Sequence, residues 1–240
     1  LYEVEGKEVF RELSRTMPNY SFHITEGRQS QEILVGVKSG FTSFFSQRVA
    51  FKAGNSWLRP GALLTVTIDE ADYSLLFLHL KSKSEPVGLG LRDDQLAKAQ
   101  KLKKKLDKAQ PGAKRANFMV LGDLNTMGMK YIKGKGISGN LELAKLDKDL
   151  ARKSVAMRRL TKAADASWWN GPGSSYPPGN LDHVLASDHL AFKKFNRLGD
   201  DGKAEVDVRG WPALATNAQK VQWINRYSDH GLLYLEAQKV

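Results

Sequence analysis

The stretch Val120-Leu121-Gly122-Asp123-Leu124-Asn125-Thr126 decides how the rest of this chain is interpreted. It continues the apolar run that starts at Phe118, which predicts a buried strand ending at Gly122. Asp123 and Asn125 are two residues apart, so they face the same side of an extended backbone. A carboxylate beside a carboxamide suits a site that takes a proton or holds a hard cation, and that also donates an N–H to an anionic oxygen. Gly-Asp-x-Asn is also typical of an ordinary Asx-turn, so the motif alone leaves both interpretations open.

Three other apolar runs carry polar groups at one end. They are Leu78-His79-Leu80-Lys81-Ser82, Leu181-Asp182-His183-Val184-Leu185-Ala186-Ser187 and Ser228-Asp229-His230-Gly231. With Leu1-Tyr2-Glu3-Val4 at the start, this ordered set resembles the endonuclease/exonuclease/phosphatase superfamily, the deoxyribonuclease I-like metal-dependent phosphoesterases. The resemblance spans nearly the whole chain. Five short motifs in the right order are specific to the superfamily and say little about which member this is.

The resemblance implies an α/β (α+β) fold, a four-layer sandwich of two packed mixed β-sheets flanked by helices. At 240 residues the chain is long enough for one domain, so we expect a single domain over residues 1–240. In the family, a strand that carries a metal-site Asn precedes the glutamate that Glu3 matches. We therefore expect that strand to be missing from this sequence. The sheet edge beside it should be covered by another segment, by a partner chain or by residues outside the numbering.

The implied metal site follows from the same resemblance. The family's metal-binding glutamate corresponds to Glu3, with Glu5 as the alternative register, and Asp229 supports the same site. The expected cation is Mg²⁺ or Mn²⁺. The chain has no cysteine, which excludes a thiolate zinc site, so any metal must be held by oxygen or imidazole. Without the resemblance, Glu3 is equally an exposed acid at a fraying terminus.

The resemblance also assigns catalytic roles. Asp123 would orient or deprotonate the attacking water, and Asn125 and His79 would donate to phosphoryl oxygens. His230 would stabilise the developing charge. Asp182 would pair with His230, which fixes the tautomer of the imidazole and favours its protonated form.

Two of these residues have a plainer alternative. Arg59 precedes the predicted strand 62–68, where an Arg-Pro pair of the family often lies near substrate phosphate, but a single arginine is also an ordinary surface residue. His79 lies on an apolar strand, where a histidine is often a satisfied core residue. The resemblance favours phosphate binding for His79. For Arg59 it adds phosphate contact as a candidate role, and the ordinary surface or interface residue remains the preferred interpretation.

Charge points to an anionic partner. The net charge is +11 with a pI near 9.7, a field that attracts nucleic acid, anionic membrane surfaces or small phosphates without choosing among them. A helix is predicted to begin at Arg92-Asp93-Asp94. Its polar face either follows a nucleic acid or is simply solvated, and carries Lys98, Lys101, Lys103, Lys104, Lys105 and Lys108.

Later segments differ most among members of the family. Residues 141–160 predict one or two helices carrying Arg158 and Arg159, and residues 199–202 a tight turn. Trp168, Trp169 and Tyr176 either stack on a base or sugar or pack against the core.

The resemblance and the charge together favour a divalent-metal-dependent hydrolase that cleaves phosphodiester bonds, most simply a monomeric endonuclease or exonuclease acting on nucleic acid. The alternative within the superfamily is a phosphatase or phospholipase acting on a phosphoinositide or sphingomyelin head group. An alternative of another class is a binding module that kept the fold and lost its chemistry. No apolar run approaches the roughly 20 residues of a membrane span. The first residues lack the layout of a signal peptide, so the localisation is left open.

Overall fold

The computed structural model describes residues 1–29, 31–113, 115–195 and 202–238. Their helices are α1 (Lys7–Thr16), α2 (Pro86–Ala109), α3 (Gly139–Leu150) and α4 (Asn217–Arg226). Their strands are β1 (Tyr20–Ile24), β2 (Leu34–Lys38), β3 (Thr42–Arg48), β4 (Gly61–Ile68), β5 (Ala71–Phe77), β6 (Asn117–Asp123), β7 (Met157–Arg159), β8 (Asp182–Ser187), β9 (Asp207–Arg209) and β10 (Leu232–Tyr234). Of the turn predicted at 199–202, residues 199–201 lie outside the described residues.

A mixed six-stranded sheet organises the fold. Its order is β3-β4-β5-β6-β8-β7, and β5 and β6 form its parallel pair. Successive side chains of a strand alternate between the two faces of the sheet. Leu76, Val120 and Leu185 therefore face one layer, where they pack against Leu96 of α2 and Leu146 of α3. This face of the sheet forms the largest part of the core.

The opposite face of the sheet carries the second β layer. In the described residues this layer consists of two antiparallel ribbons, β1-β2 and β9-β10. Val35 of β2 packs with Leu64 of β4, and Leu233 of β10 packs with Val184 of β8. Helix α1 lies against β1. The predicted sandwich of packed sheets with flanking helices is confirmed, with a second layer built from two ribbons.

The first residues of the chain cover one edge of β2. The terminal nitrogen of Leu1 donates to the carbonyl of Leu34 at 2.8 Å, and the Leu34 amide donates back to Leu1 at 2.9 Å. Val4 and Glu32 exchange backbone hydrogen bonds of 3.2 and 2.9 Å. Between these pairs Glu3 adopts a φ of 56°, in the left-handed region. This short paired segment places Glu3 beside the end of the main sheet.

Two predictions about helices were wrong. Helix α2 begins at Pro86 rather than Arg92, because proline is well suited to the first turn of a helix. The prediction missed this start because the glycines at 88 and 90 hid the helical pattern. Arg158 and Arg159 lie on β7, not on a helix. Ala156 has a φ of 51°, which ends any helical run before them, and β7 pairs with the edge of β8.

The lysine face of α2 was also predicted incorrectly at one position. Lys103 is fully buried, and its ammonium lies 2.6 Å from both carboxylate oxygens of Asp107. Asp107 also accepts the backbone N–H of Ala116 at 2.8 Å. The lysine therefore belongs to a buried network that anchors the start of β6. Lys101, Lys105 and Lys108 are exposed, as predicted.

Among the described residues, no helix is both long and apolar enough to cross a lipid bilayer.

Candidate active site

Three neighbouring strands carry the site at one edge of the main sheet. Asp123 is the last residue of β6 and Asp182 the first of β8, and the two are paired directly across the antiparallel ladder. The chain continues beyond β5 along β6, because Leu78 donates to Leu121 and Leu80 donates to Asp123, each at 2.9 Å. His79 is held between these two hydrogen bonds. Three residues from distant parts of the sequence thus lie close together.

His79 lies between the carboxylates of Asp123 and Glu3. Its Nε2 lies 3.4 Å from Oδ2 of Asp123 and 3.7 Å from Oε1 of Glu3. The imidazole is buried, whereas about half of the Glu3 side chain, 49%, is exposed. Nδ1 of His79 is buried without a hydrogen-bond partner among the described residues. The ring packs edge-on against Tyr2, with centroids 6.0 Å apart. His79 is therefore a buried donor or acceptor that faces the cleft.

Asn125 fixes the orientation of Asp123. Its backbone N–H donates to Oδ1 of Asp123 at 2.9 Å, and its Nδ2 donates to Oδ2 at 2.7 Å and to the carbonyl of Leu80 at 3.1 Å. This arrangement requires a left-handed backbone at Asn125, with a φ of 50°, a conformation that asparagine adopts more readily than most residues. The Asx-turn and the paired polar site are thus the same structure. Asn125 could donate to a substrate oxygen only by releasing one of its present acceptors.

Asp182 and His230 form a second pair. Oδ2 of Asp182 lies 2.9 Å from Nδ1 of His230, and its backbone N–H donates to Oγ of Ser167 at 2.9 Å. The predicted pairing is present, and it leaves Nε2 of His230 facing away from Asp182. His230 itself lies in a short antiparallel bridge with Trp168.

Burial and charge separate the protonation states of these groups. Burial, together with the charge of Asp182, raises the pKa of Asp123 to about 8. Burial acts to lower the pKa of His230, but the hydrogen bond and the charge of Asp182 outweigh it and raise that pKa to about 9. Burial, with the positive charges of Arg59 and His230, lowers the pKa of His79 to about 3. The site thus holds one cationic and one neutral histidine at pH 7.

Arg59 and Asp229 have partners of their own. The guanidinium of Arg59 donates to Gln31, and its Nε is buried without a partner among the described residues. Burial lowers the pKa of Arg59, although the negative charges of Glu3 and Asp123 act to raise it. Arg59 therefore lies near Glu3 and Asp123. Oδ2 of Asp229 accepts the indole N–H of Trp168 at 2.7 Å. One of the two carboxylate oxygens of Asp229 is therefore occupied by this hydrogen bond.

The tryptophans of the later loop pack into the protein. Trp169 is buried against Trp211, with ring centroids 5.8 Å apart. The carbonyl of Asp229 accepts the backbone N–H of Trp169 at 2.9 Å and the indole N–H of Trp211 at 2.8 Å. These bonds hold the segment that carries His230. Of the three aromatic residues singled out from this loop, Tyr176 is the exposed one, at 59%.

Sequence reasoning missed several supporting residues. Nζ of Lys162 donates to Oδ1 of Asn180 at 2.6 Å and to the carbonyl of Asp182 at 2.9 Å, and burial lowers its pKa to about 8. Tyr2 donates to the carbonyl of Leu121 at 2.8 Å behind the site. His183, on the other face of β8, is fully buried against Thr126 at 2.9 Å. A lysine or tyrosine carries no sequence signal for such a role, because its partners are far away in the chain.

The donor chemistry of the site is compatible with a hard cation. Within the described residues, no three His, Cys, Asp or Glu side chains are grouped as metal ligands. Glu3 nevertheless offers a half-exposed carboxylate at the cleft, and Mg²⁺ is commonly held by one or two carboxylates together with water and substrate phosphate. The residues therefore fit a cation that takes few ligands from the protein.

Solved structures share this fold. No protein-family model and no curated protein sequence matches the chain. TDP2 from C. elegans is similar over 96% of this chain, with 14% identity and a TM-score of 0.63, and this chain spans 61% of that one. D. rerio TDP2 complexed with single-strand DNA product is similar over 100% of this chain and 84% of its own, with 15% identity and a TM-score of 0.58.

A third structure carries the name of the superfamily. An endonuclease/exonuclease/phosphatase family protein from Bacteroides thetaiotaomicron is similar over 95% of this chain and 78% of its own, with 12% identity and a TM-score of 0.52. At these identities the likeness establishes the fold. The chain shares the fold of these structures, and this is the deoxyribonuclease I-like fold that its sequence motifs predicted.

Proposed function

We propose that this protein is a divalent-metal-dependent hydrolase of phosphodiester bonds and that its substrate is nucleic acid. The observation that carries the proposal is the convergence of His79, Asp123, Asn125, Asp182 and His230, with the last two paired at 2.9 Å. These residues stand at strand ends scattered over more than 150 positions of the sequence. A carboxylate with a raised pKa beside a cationic histidine is a pattern of acid–base sites.

The residues have distinct parts in the proposed reaction. Asp123, once deprotonated, accepts a proton from the attacking water, and Asn125 holds the carboxylate in position. His230, kept cationic by Asp182, donates to a phosphoryl oxygen as negative charge builds up in the transition state. His79 is neutral at pH 7 and donates from Nε2 to another phosphoryl oxygen.

A cation would be held by Glu3, with Asp229 in support if its free oxygen is turned to the site. When bound, Mg²⁺ or Mn²⁺ supplies Lewis-acid polarisation of the phosphate and stabilises the leaving oxygen. Arg59 adds a positive charge near Glu3 and Asp123. Such a site acts on phosphate esters in general. The kind of substrate therefore depends on residues outside the site.

Two further features support nucleic acid as the substrate. The chain carries a net charge of +11, and a structure of the same fold was solved with single-strand DNA product. The proposal is tested by measuring cleavage of an oligonucleotide with Mg²⁺ and with excess chelator, in the natural protein and in Asp123→Asn, His230→Ala and the control Asp94→Asn. Cleavage should need the cation and fall by about 100-fold or more in the first two variants only. Full activity in chelator would refute the mechanism, and no turnover at all would favour a binding module.

Salt dependence separates nucleic acid from a small head group. Lysines and arginines that neutralise several phosphates release counterions, so the affinity for an oligonucleotide should fall steeply as salt rises. An inositol phosphate or a choline phosphodiester engages few phosphates and should show a shallow dependence. Tight and nearly salt-independent binding of a head group, without affinity for the oligonucleotide, would favour the phosphatase or phospholipase alternative.

A further inference from the structure

Two loops leave the site and meet beside it. The first, residues 126–138, follows Asn125 directly. The second, residues 170–178, runs from Trp169 back towards Asp182. Nζ of Lys130 in the first loop lies 5.7 Å from the ring centroid of Tyr176 in the second, within the range of a cation–π contact. The loops are therefore joined at their outer parts.

The base of the first loop is fixed by a buried ion pair. Arg92 of α2 is fully buried, donates to both carboxylate oxygens of Glu142 at 2.7 and 2.9 Å, and donates to the carbonyl of Gly128 at 2.8 Å. Glu142 in turn accepts the N–H of Gly128 at 2.8 Å. Met129 and Ile137 then exchange backbone hydrogen bonds of 2.7 and 2.8 Å. The loop is thus a hairpin presented on a rigid base.

We call residues 130–136 the hairpin tip. Tyr131 is 54% exposed and Ile132 is 99% exposed. Lys130, Lys133 and Lys135 lie between or beside them, and residues 127–138 contain no acidic residue. Exposing this much apolar surface to water has no benefit for the fold itself, so an exposed cluster of this kind points to a binding surface.

The tip lies within reach of a substrate bound in the cleft. Lys130 is five positions from Asn125, which corresponds to at most about 18 Å of extended chain. Tyr176 is six positions from Asp182, a similar limit. A polymer whose scissile phosphate lies at the site is long enough to contact these side chains as well.

We infer that the hairpin tip and Tyr176 form a subsite for single-stranded nucleic acid, in which Tyr131 and Tyr176 stack on bases and Lys130 contacts a backbone phosphate. This inference rests on the proposed function, and it names the part of the substrate that lies beyond the reacting phosphate. Aromatic side chains interleaved with lysines are the usual composition of such surfaces. An anionic membrane is the competing partner. One fully exposed aliphatic residue makes a weak anchor, whereas the two tyrosines come from separate loops that are joined by the contact of Lys130 with the Tyr176 ring.

The test compares binding of a fluorescent single-stranded oligonucleotide, in chelator so that it stays intact, to the natural protein and to Tyr131→Ala, Tyr176→Ala and Lys130→Ala. Each tyrosine variant should bind about 5-fold more weakly or worse, the range given by loss of one stacked base. Tyr131→Phe and Tyr176→Phe keep the ring and should bind as the natural protein does. Phe44→Ala removes an exposed aromatic residue of β3 and should have no effect.

Turnover of a small diester, bis(p-nitrophenyl) phosphate, separates this inference from the proposed function. The tyrosine variants should hydrolyse it at the natural rate while cleaving the oligonucleotide less efficiently. Unchanged oligonucleotide affinity in both tyrosine-to-alanine variants would overturn the inference. It would also be overturned if these variants lost binding to phosphatidylserine vesicles but kept their affinity for the oligonucleotide. If the natural protein hydrolyses neither substrate, yet oligonucleotide binding depends on the two rings, the proposed function fails and the subsite stands.

Discussion

Asp182 sets the charge of the two groups on either side of it. Its carboxylate accepts from His230, and Asp182 is paired across the ladder with Asp123. Burial and the negative charge of Asp182 raise the pKa of Asp123. Against the effect of burial, the hydrogen bond and charge of Asp182 raise the pKa of His230. A group whose pKa is raised holds its proton to higher pH. Asp123 must lose its proton to act as a base, and His230 must keep its proton to act as a cation. The rate should therefore rise as pH approaches about 8 and fall above about 9.

Asp182→Asn should move both limbs of this profile. Removing the negative charge lowers the pKa of Asp123 and of His230, so both limbs shift to lower pH by about 1 unit or more, and the maximum rate falls. The measurement is kcat/KM for a phosphodiester between pH 5 and 11. Asp94→Asn, an exposed carboxylate on α2, should leave the profile in place. An Asp182→Asn profile with unmoved limbs would show that other groups titrate.

Gly122 is required by a close approach of three chain segments. Its φ is 135°, and a Cβ added there would lie 2.1 Å from the carbonyl oxygen of Leu78 and 2.4 Å from the hydroxyl of Tyr2. Backbone and a hydrogen-bonded tyrosine cannot both move aside. The glycine therefore lets β6 pass directly behind the site.

Gly122→Ala should lower the free energy of unfolding by on the order of 3 kcal/mol, at the upper end of common single substitutions. Gly90→Ala is the matched control, because Gly90 lies in α2 with open space around it, and alanine there should stabilise by up to about 1 kcal/mol. Urea denaturation measures both. A Gly122→Ala protein as stable as the natural one would contradict the described packing.

Individual site residues could be predicted because strand ends and alternation are local features. Asp123 and Asn125 are two positions apart, and Asp182 begins a strand-like run. Lys162 could not be predicted, because its acceptors, Asn180 and Asp182, are 18 and 20 positions away and become neighbours only in the folded chain. Asp229 was predicted to support a metal site. Its hydrogen bond with Trp168 could not be predicted either, because the two residues are far apart in the sequence.

Among the elements, α2 and α3 are joined through the Arg92–Glu142 ion pair rather than through apolar contact alone. Arg92 also donates to the carbonyls of Lys81 and Lys83, at 3.2 and 2.8 Å. One buried guanidinium thus holds the segment after His79 and the hairpin after Asn125. The start of α2 at Pro86 was missed from the sequence, because Gly88 is present for its approach to the carbonyl of Lys83, where a Cβ would lie at 2.4 Å, and not for helix propensity.

Glu142→Gln should lower the free energy of unfolding by about 3–5 kcal/mol, because it leaves Arg92 buried without a counter-charge. Trypsin should then cut more readily at the lysines of the hairpin tip. Asp94→Asn removes the partner of Lys98 from an exposed pair and should cost less than about 1 kcal/mol. Urea denaturation and timed proteolysis measure these effects. Equal stability of the two variants would show that the buried pair does not hold the loops.

At the scale of the whole molecule, the fold brings together residues from position 3 to position 230. The main sheet supplies His79, Asp123 and Asp182 at one edge, the first residues add Glu3 along β2, and the segment before β10 adds His230. The architecture could be predicted from the order of the motifs. The division of the second layer into two ribbons could not, because it depends on pairings between short segments without a strong alternating pattern.

In the proposed reaction, Asp182 and His230 act as one unit in phosphodiester hydrolysis. The most direct measurement is kcat/KM for the natural protein, Asp182→Ala, His230→Ala and the double variant, with Mg²⁺ present. If Asp182 works through the imidazole, each single variant loses about 100-fold or more, and the double variant is no worse than His230→Ala. Losses that multiply in the double variant, or natural rates in either single variant, would contradict the account.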